Sequence, residues 1–236
     1  MGYKLGRLPA QRPAALADLQ TYATGKLPTP PRSINPPTTS YPIDGNDRYG
    51  DCVMAGVAHL ISAWDTEVKE PNAIPTEQTI VEEYFKLTGG EDTGLSESET
   101  LRTWHREGLF GEKIAGYAPV STTNLLEWHQ AVAFFGGMML GIECPQSAQE
   151  QFEAGEPWTY VEGSPVLGGH CVIALGYGPN GGLHVATWGS IAVLEAAFLA
   201  HYLDEAWVVL PPQFVEAKHG RLGIDLQTLT EDLAKV

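Results

Sequence analysis

Asn46-Asp47-Arg48-Tyr49-Gly50-Asp51-Cys52-Val53-Met54-Ala55 is the stretch on which the fold turns. Gly50 permits a sharp turn, and apolar residues then recur at Val53, Val57, Leu60, Ile61, Trp64 and Val68. That spacing marks one face of a helix, expected from Cys52 to about Lys69. Cys52 stands at its mouth, where the dipole and the unpaired N–H groups favour a thiolate. Cys52 is thus a candidate nucleophile, set against the common role of a lone cysteine as a buried core residue.

Outward from this helix the pattern is helices first and strands later. A second helix is expected over about Thr76–Leu87. A third opens with the capping box Ser96-x-x-Glu99 and closes before Gly108, and a fourth covers Asn124–Phe135 and stops at Gly136-Gly137. Strands follow at Met138–Ile142, Cys171–Tyr177, Leu183–Trp188 and Ala206–Leu210, with Pro179-Asn180-Gly181-Gly182 as a hairpin turn. A helix near Val193–Tyr202 interrupts them, and a short amphipathic helix carries Leu226, Leu229 and Leu233. The fold class expected is α+β.

One later strand carries the second candidate. His170 lies in Gly168-Gly169-His170-Cys171-Val172-Ile173-Ala174-Leu175-Gly176-Tyr177-Gly178, at the start of an apolar strand behind two glycines that allow close approach. A thiol and an imidazole far apart in sequence and adjacent in space form an activated nucleophile. Seen alone, His170 is more commonly a core histidine satisfied by backbone.

Together these residues resemble the papain-like cysteine peptidases, over about residues 44–210. That family places an oxyanion-hole Gln shortly before the Cys at the entry to a long central helix. Its His opens a later strand, and an Asn-Ser-Trp-Gly segment lies on the next. Here Asn46 stands six residues ahead of Cys52, and Trp188-Gly189 matches the tryptophan-glycine. The resemblance implies a helical half carrying the Cys helix, packed on an antiparallel sheet or barrel half. It also implies a thiol hydrolase in which Cys52 attacks, His170 moves the proton and the Asn46 amide meets the oxyanion.

Two departures bear on activity. The segment reads Val185-Ala186-Thr187-Trp188-Gly189, so Ala186 stands where the orienting Asn belongs. Thr187 is a candidate substitute, although strand alternation points it away from the face of Trp188. His184 shares the face of Ala186 and is a second candidate orienter. Asp51, directly before the Cys, opposes thiolate formation while being able to cap the helix.

The remaining sequence sets boundaries. Residues 1–45 read as a Pro-rich extended arm, with Leu27-Pro28-Thr29-Pro30-Pro31 and Asn35-Pro36-Pro37-Thr38-Thr39, and one short helix at Pro13–Thr24. Residues 46–212 read as the α+β domain and 213–236 as a tail. Lys+Arg 14 against Asp+Glu 29 gives a net charge of −15, which excludes the basic footprint of a nucleic-acid binder. No membrane segment and no signal peptide are expected, so the location expected is cytoplasmic, or a virion if the chain is phage-encoded. The histidines and cysteines lack metal-ligand spacing, and no cofactor or metal is expected.

Two functions are consistent with this pattern. One is a cysteine peptidase acting on a peptide or protein substrate. The other is a catalytically degenerate papain-like module, such as a structural or decoration protein of a phage capsid or tail. In the second reading the arm binds protein partners or drives self-assembly.

Overall fold

The computed structural model describes residues 3–68, 74–212 and 223–236. The arm's residues 1–2, the expected helix end at Lys69 and residues 213–222 of the tail lie outside the described residues. Helix α1 is Leu19–Tyr22, α2 Cys52–Val68, α3 Glu77–Leu87 and α4 Glu97–Arg106. Then follow β1 (Gly116–Pro119), α5 (Leu125–Phe135), β2 (Met138–Pro145), α6 (Gln146–Ala154) and β3 (Val166–Tyr177). The chain continues with β4 (Leu183–Thr187), β5 (Ser190–Leu194), α7 (Ala196–Tyr202) and β6 (Leu203–Leu210), and ends in α8 (Leu226–Leu233). The architecture is α+β, with an antiparallel sheet in the order β1-β6-β2-β3-β4-β5.

Local chemistry accounts for the helix starts. Thr76, Ser96 and Asn124 each accept a hydrogen bond from the backbone N–H three residues on, as N-caps do. Helix α5 ends at Gly136, whose φ of 77° is the left-handed C-terminal conformation that glycine adopts without strain. Helix α2 lies against β3, and Val53, Val57 and Leu60 are fully buried. Each such side chain contributes about 1.5–3 kcal/mol on leaving water. At Gly56 the approach is close: a Cβ there would sit 3.0 Å from Ile173 Cδ1 and 3.2 Å from Cys171 Sγ.

Three expectations need correction. The helix of Pro13–Thr24 shrinks to Leu19–Tyr22, because the Ala17 N–H bonds the Tyr22 hydroxyl and Leu16 closes a separate turn onto Pro13. The helix near Val193–Tyr202 begins only at Ala196, since Ser190–Leu194 alternate in burial and pair with β4. Trp188 leaves its strand: with Gly189 it turns the β4–β5 hairpin, φ 43° and 82°, the two left-handed positions such a turn requires. Elements β1 and α6 were unanticipated. The first is a four-residue edge strand ending in proline, and the second a polar helix with little apolar period.

The arm crosses the domain in extended form. Ile34 exchanges both backbone hydrogen bonds with Tyr177, and Gln130 holds the carbonyls of Leu27 and Pro28. Arm and tail meet where the Tyr22 hydroxyl donates to Asp232 at 3.0 Å, and α8 covers β1 with Leu229 and Leu233. Among the described residues, no helix is long and apolar enough to cross a membrane.

Candidate active site

Cys52 is the first residue of α2, and the Asp51 carbonyl accepts from the N–H groups of Met54 and Ala55. His170 sits on β3, opposite Ile142 of β2. Both line one cavity of about 10 Å³ with Ile43, Asn46, His59, Thr187 and Trp188. That volume is at the limit of what a single water needs. Cys52 is 2% exposed and His170 1%.

The imidazole is held from two sides. Its Nε2 lies 2.8 Å from Thr187 Oγ1, and its ring stacks on Trp188 with centroids 4.3 Å apart and planes at 19°. Strand register explains why Thr187 serves. Ile173 pairs with Ala186, so His170, three residues before Ile173, shares the face of Thr187 and not that of Ala186. The turn at Trp188-Gly189 then brings the indole back over the ring. Nδ1 of His170 is buried with no hydrogen-bond partner, so the Cys52 thiol is not bonded to it.

Electrostatics keeps both groups neutral. Burial pushes the Cys52 thiol up to about 12, although the backbone of Cys171 and of Gly6 hydrogen-bonds toward the sulfur. Burial, reinforced by the Arg7 guanidinium, lowers His170 to about 3. Asp51 is fully buried, and burial raises it to about 7 against the pull of the Asn46 amide. When ionised, Asp51 pushes the thiol further up.

The other anticipated residues divide. Asn46 is buried at the cavity, and its Nδ2 donates to the Tyr49 carbonyl at 3.0 Å. His184 does not join the site. It lines a separate pocket at the β3–β4 hairpin with Gly178, Pro179 and Asn180, and burial lowers its pKa.

Sequence reasoning missed His59 and the arm. His59 lies seven residues along α2 from Cys52, on the same face; its Nε2 is 2.9 Å from the Pro42 carbonyl and 3.3 Å from Asp44 Oδ2. The i, i+7 spacing of Cys52 and His59 was the available signal.

Residues 4–8 of the arm lie beside the thiol, with Arg7 bridging to Leu95 and Gly169 and the Gly6 backbone at the Cys52 sulfur. Lys4 N–H donates to Asn46, Arg7 N–H to Gly169 at 3.0 Å, and Leu8 N–H to Leu95 at 2.9 Å; Leu95 N–H donates to Gly6 at 2.8 Å. Tyr3 stacks on Trp188, centroids 4.5 Å apart. The fit is backbone against backbone: a Cβ on Gly6 would lie 1.8 Å from the Gly50 carbonyl oxygen.

No protein-family model and no curated protein matches this sequence. Solved structures do match. Xylellain, a cysteine protease from Xylella fastidiosa, is similar over 89% of this chain and 97% of its own, at a TM-score of 0.68 and 14% identity. The cysteine protease and lectin-like domains of Cwp84, a surface layer associated protein of Clostridium difficile, are similar over 89% of this chain and 57% of theirs, at 0.63 and 11%. Digestive procathepsin L 3 of Tenebrio molitor larval midgut is similar over 89% and 76%, at 0.59 and 12%. At these identities the likeness is one of fold, and the described strands and helices follow it: this chain has the papain-like cysteine protease fold.

Proposed function

We propose that the chain is a thiol hydrolase of peptide bonds, with Cys52 as nucleophile and His170 as its proton partner, held latent by its own arm. The observation that carries this reading is the division of labour on one ring. Nε2 of His170 is tethered to Thr187, while Nδ1 is left unpartnered in the cavity that Cys52 also lines. Left unpaired, a buried ring nitrogen costs about 1–3 kcal/mol, which the Cys52 thiol proton would relieve.

In the reaction the Cys52 thiol proton passes to Nδ1, and the sulfur bonds the scissile carbonyl carbon. The oxyanion is met by the Cys52 N–H and by the Asn46 amide, which keeps one hydrogen after donating to Tyr49. Collapse breaks the C–N bond, and the amine leaves with the proton from His170. Water, losing a proton to the same nitrogen, then hydrolyses the thioester and restores the thiol. Residues 4–8 occupy the approach to the sulfur, so turnover requires the arm to move. One of the similar structures is that of a proenzyme, digestive procathepsin L 3, which accords with a latent form.

The rival reading, an inert structural module, draws on the neutral and separated thiol and imidazole. One experiment divides the two. Iodoacetamide labelling of Cys52 and hydrolysis of a mixed fluorogenic peptide pool are compared for the full chain, Arg7→Ala and Arg7→Ala/His170→Ala. A hydrolase gains both signals on Arg7→Ala and loses both on the double change. Labelling that ignores His170, with no turnover, leaves the structural module.

A further inference from the structure

Arg7 is a surface residue type on a terminal arm, yet it is only 5% exposed. Its Nη1 donates to Glu205 Oε1 at 2.9 Å and to the Leu8 carbonyl, and its Nη2 donates to Asp204 Oδ2 at 2.7 Å and to the Ile142 carbonyl. A third carboxyl, Glu97 at the start of α4, is fully buried and near enough for its charge to act on the guanidinium. Burial first, and the Glu205 carboxylate next, push Glu97 well up, against the pull of Arg7 and the Cys171 thiol.

The space for this side chain is built into the sheet. Gly141 of β2 is its floor: a Cβ there would lie 2.9 Å from Arg7 Cδ and 2.5 Å from Glu205 Cγ. A Cβ at Gly169 would lie 3.2 Å from Arg7 Nε. Glu205 is fixed by the Trp207 indole N–H, which donates to Oε2 at 3.0 Å, so the acceptor is oriented independently of the arm. The next residue of the arm, Gly6, already hydrogen-bonds toward the Cys52 sulfur. The pocket therefore opens one residue away from the thiol.

A tether needs one carboxylate, and this pocket has two, Asp204 and Glu205, with the Glu97 carboxyl near them. The arm also fills it imperfectly, because Arg7 Nε is buried without a hydrogen-bond partner, while Glu97 interacts with the Cys171 thiol as well as with Arg7. A guanidinium, with five donors in a planar fork, suits several carboxylates at once in a way an ammonium does not.

We propose that the pocket walled by Glu97, Asp204 and Glu205 and floored by Gly141 is a guanidinium-recognition site. The arm's Arg7 fills it in the latent chain, and an arginine side chain of the peptide substrate takes its place when the arm withdraws. The word substrate rests on the hydrolase reading, whereas the recognition of arginine does not.

Full-length Arg7→Ala is titrated by calorimetry with the blocked peptide acetyl-Gly-Arg-Gly-amide and with its citrulline counterpart, which keeps the shape and removes the charge. The arginine peptide is expected to bind at least tenfold more tightly, and adding Glu205→Gln is expected to abolish the preference. Equal affinity for the two peptides, or binding of neither, overturns the proposal. Arg7→Met, which keeps the volume of the side chain, serves the same titration if the alanine chain does not fold. The two readings fail separately. Arginine binding without peptide cleavage removes the hydrolase and keeps the pocket, while cleavage with no preference for arginine over citrulline removes the pocket and keeps the hydrolase.

Discussion

Thr187 Oγ1 lies 2.8 Å from Nε2 of His170, so a hydroxyl one residue past Ala186 reaches the ring. The hydroxyl takes over from the residue expected at Ala186 because β3 and β4 pair with Ile173 opposite Ala186. That register turns Ala186 toward α2 and Thr187 toward the imidazole.

Thr187→Val keeps the shape and deletes the hydroxyl, leaving Nε2 buried and unpaired. The loss expected is about 1–3 kcal/mol in urea unfolding, whereas Thr187→Ser stays close to the parent. Equal stability of all three chains would show that the bond carries nothing.

How much of this was legible beforehand depends on range. Helix α2, the caps at Thr76, Ser96 and Asn124, and the Pro179–Gly182 turn are local features, and their residues announce them. Thr187 was judged by alternation relative to Trp188, but Trp188 leaves the strand at φ 43° and so no longer marks a face. The register between β3 and β4, which decides the matter, is a non-local property that one strand's sequence does not carry. Arg7 was invisible for the same reason: its partners Asp204 and Glu205 are almost two hundred residues away in the chain. Helix α6 was missed because Gln146, Ser147, Gln149, Glu150 and Gln151 hide the apolar period in a polar run.

The thiol gives a pH prediction. With Cys52 pushed up to about 12 by burial, only about one thiol in 10⁵ is ionised at pH 7, against a few per cent for free cysteine. Iodoacetamide should therefore label Cys52 in the full chain at least about a hundredfold more slowly than free cysteine, with a rate still rising at pH 10. Arg7→Ala, which loosens the arm, should bring the rise to lower pH. A full chain labelled as fast as free cysteine at pH 7 would contradict the buried, neutral thiol.

Asp51 gives another, with the opposite sign from a paired carboxylate. Its folded value is about 7 and its ordinary value 3.8. Between them the unfolded chain has released a proton that the folded chain still holds, so stability falls as pH rises from about 4 to about 7 and stays lowered above it. Asp51→Asn keeps the size without the titration. It should match the parent below pH 4 and exceed it above pH 7, by up to about 4 kcal/mol at 1.36 kcal/mol per pKa unit. Urea titrations at pH 4 and pH 8 check this; a gain of the same size at both values would refute the burial of an ionisable group.

The arm can be unlocked from its own backbone. Gly6, Gly50 and Gly94 meet with no side chain between them: a Cβ on Gly6 would lie 1.8 Å from the Gly50 oxygen, and one on Gly94 would lie 2.1 Å from the Gly6 oxygen. Backbone atoms cannot rotate aside as side chains do, so Gly6→Ala must push the strand of residues 4–8 out of its seat. The core of α2 and the six-stranded sheet does not include Gly6, and its stability should fall by the arm's hydrogen bonds, each worth about 0.5–1.5 kcal/mol, and by the buried Arg7 ion pairs, about 3–5 kcal/mol together. Limited trypsin digestion should then cut after Arg7, which the parent protects by burial and by the ion pairs to Asp204 and Glu205. Cys52 labelling should quicken in parallel, because the Gly6 backbone no longer lies against the sulfur. If trypsin cuts no faster and labelling is unchanged, the arm is not what closes the site.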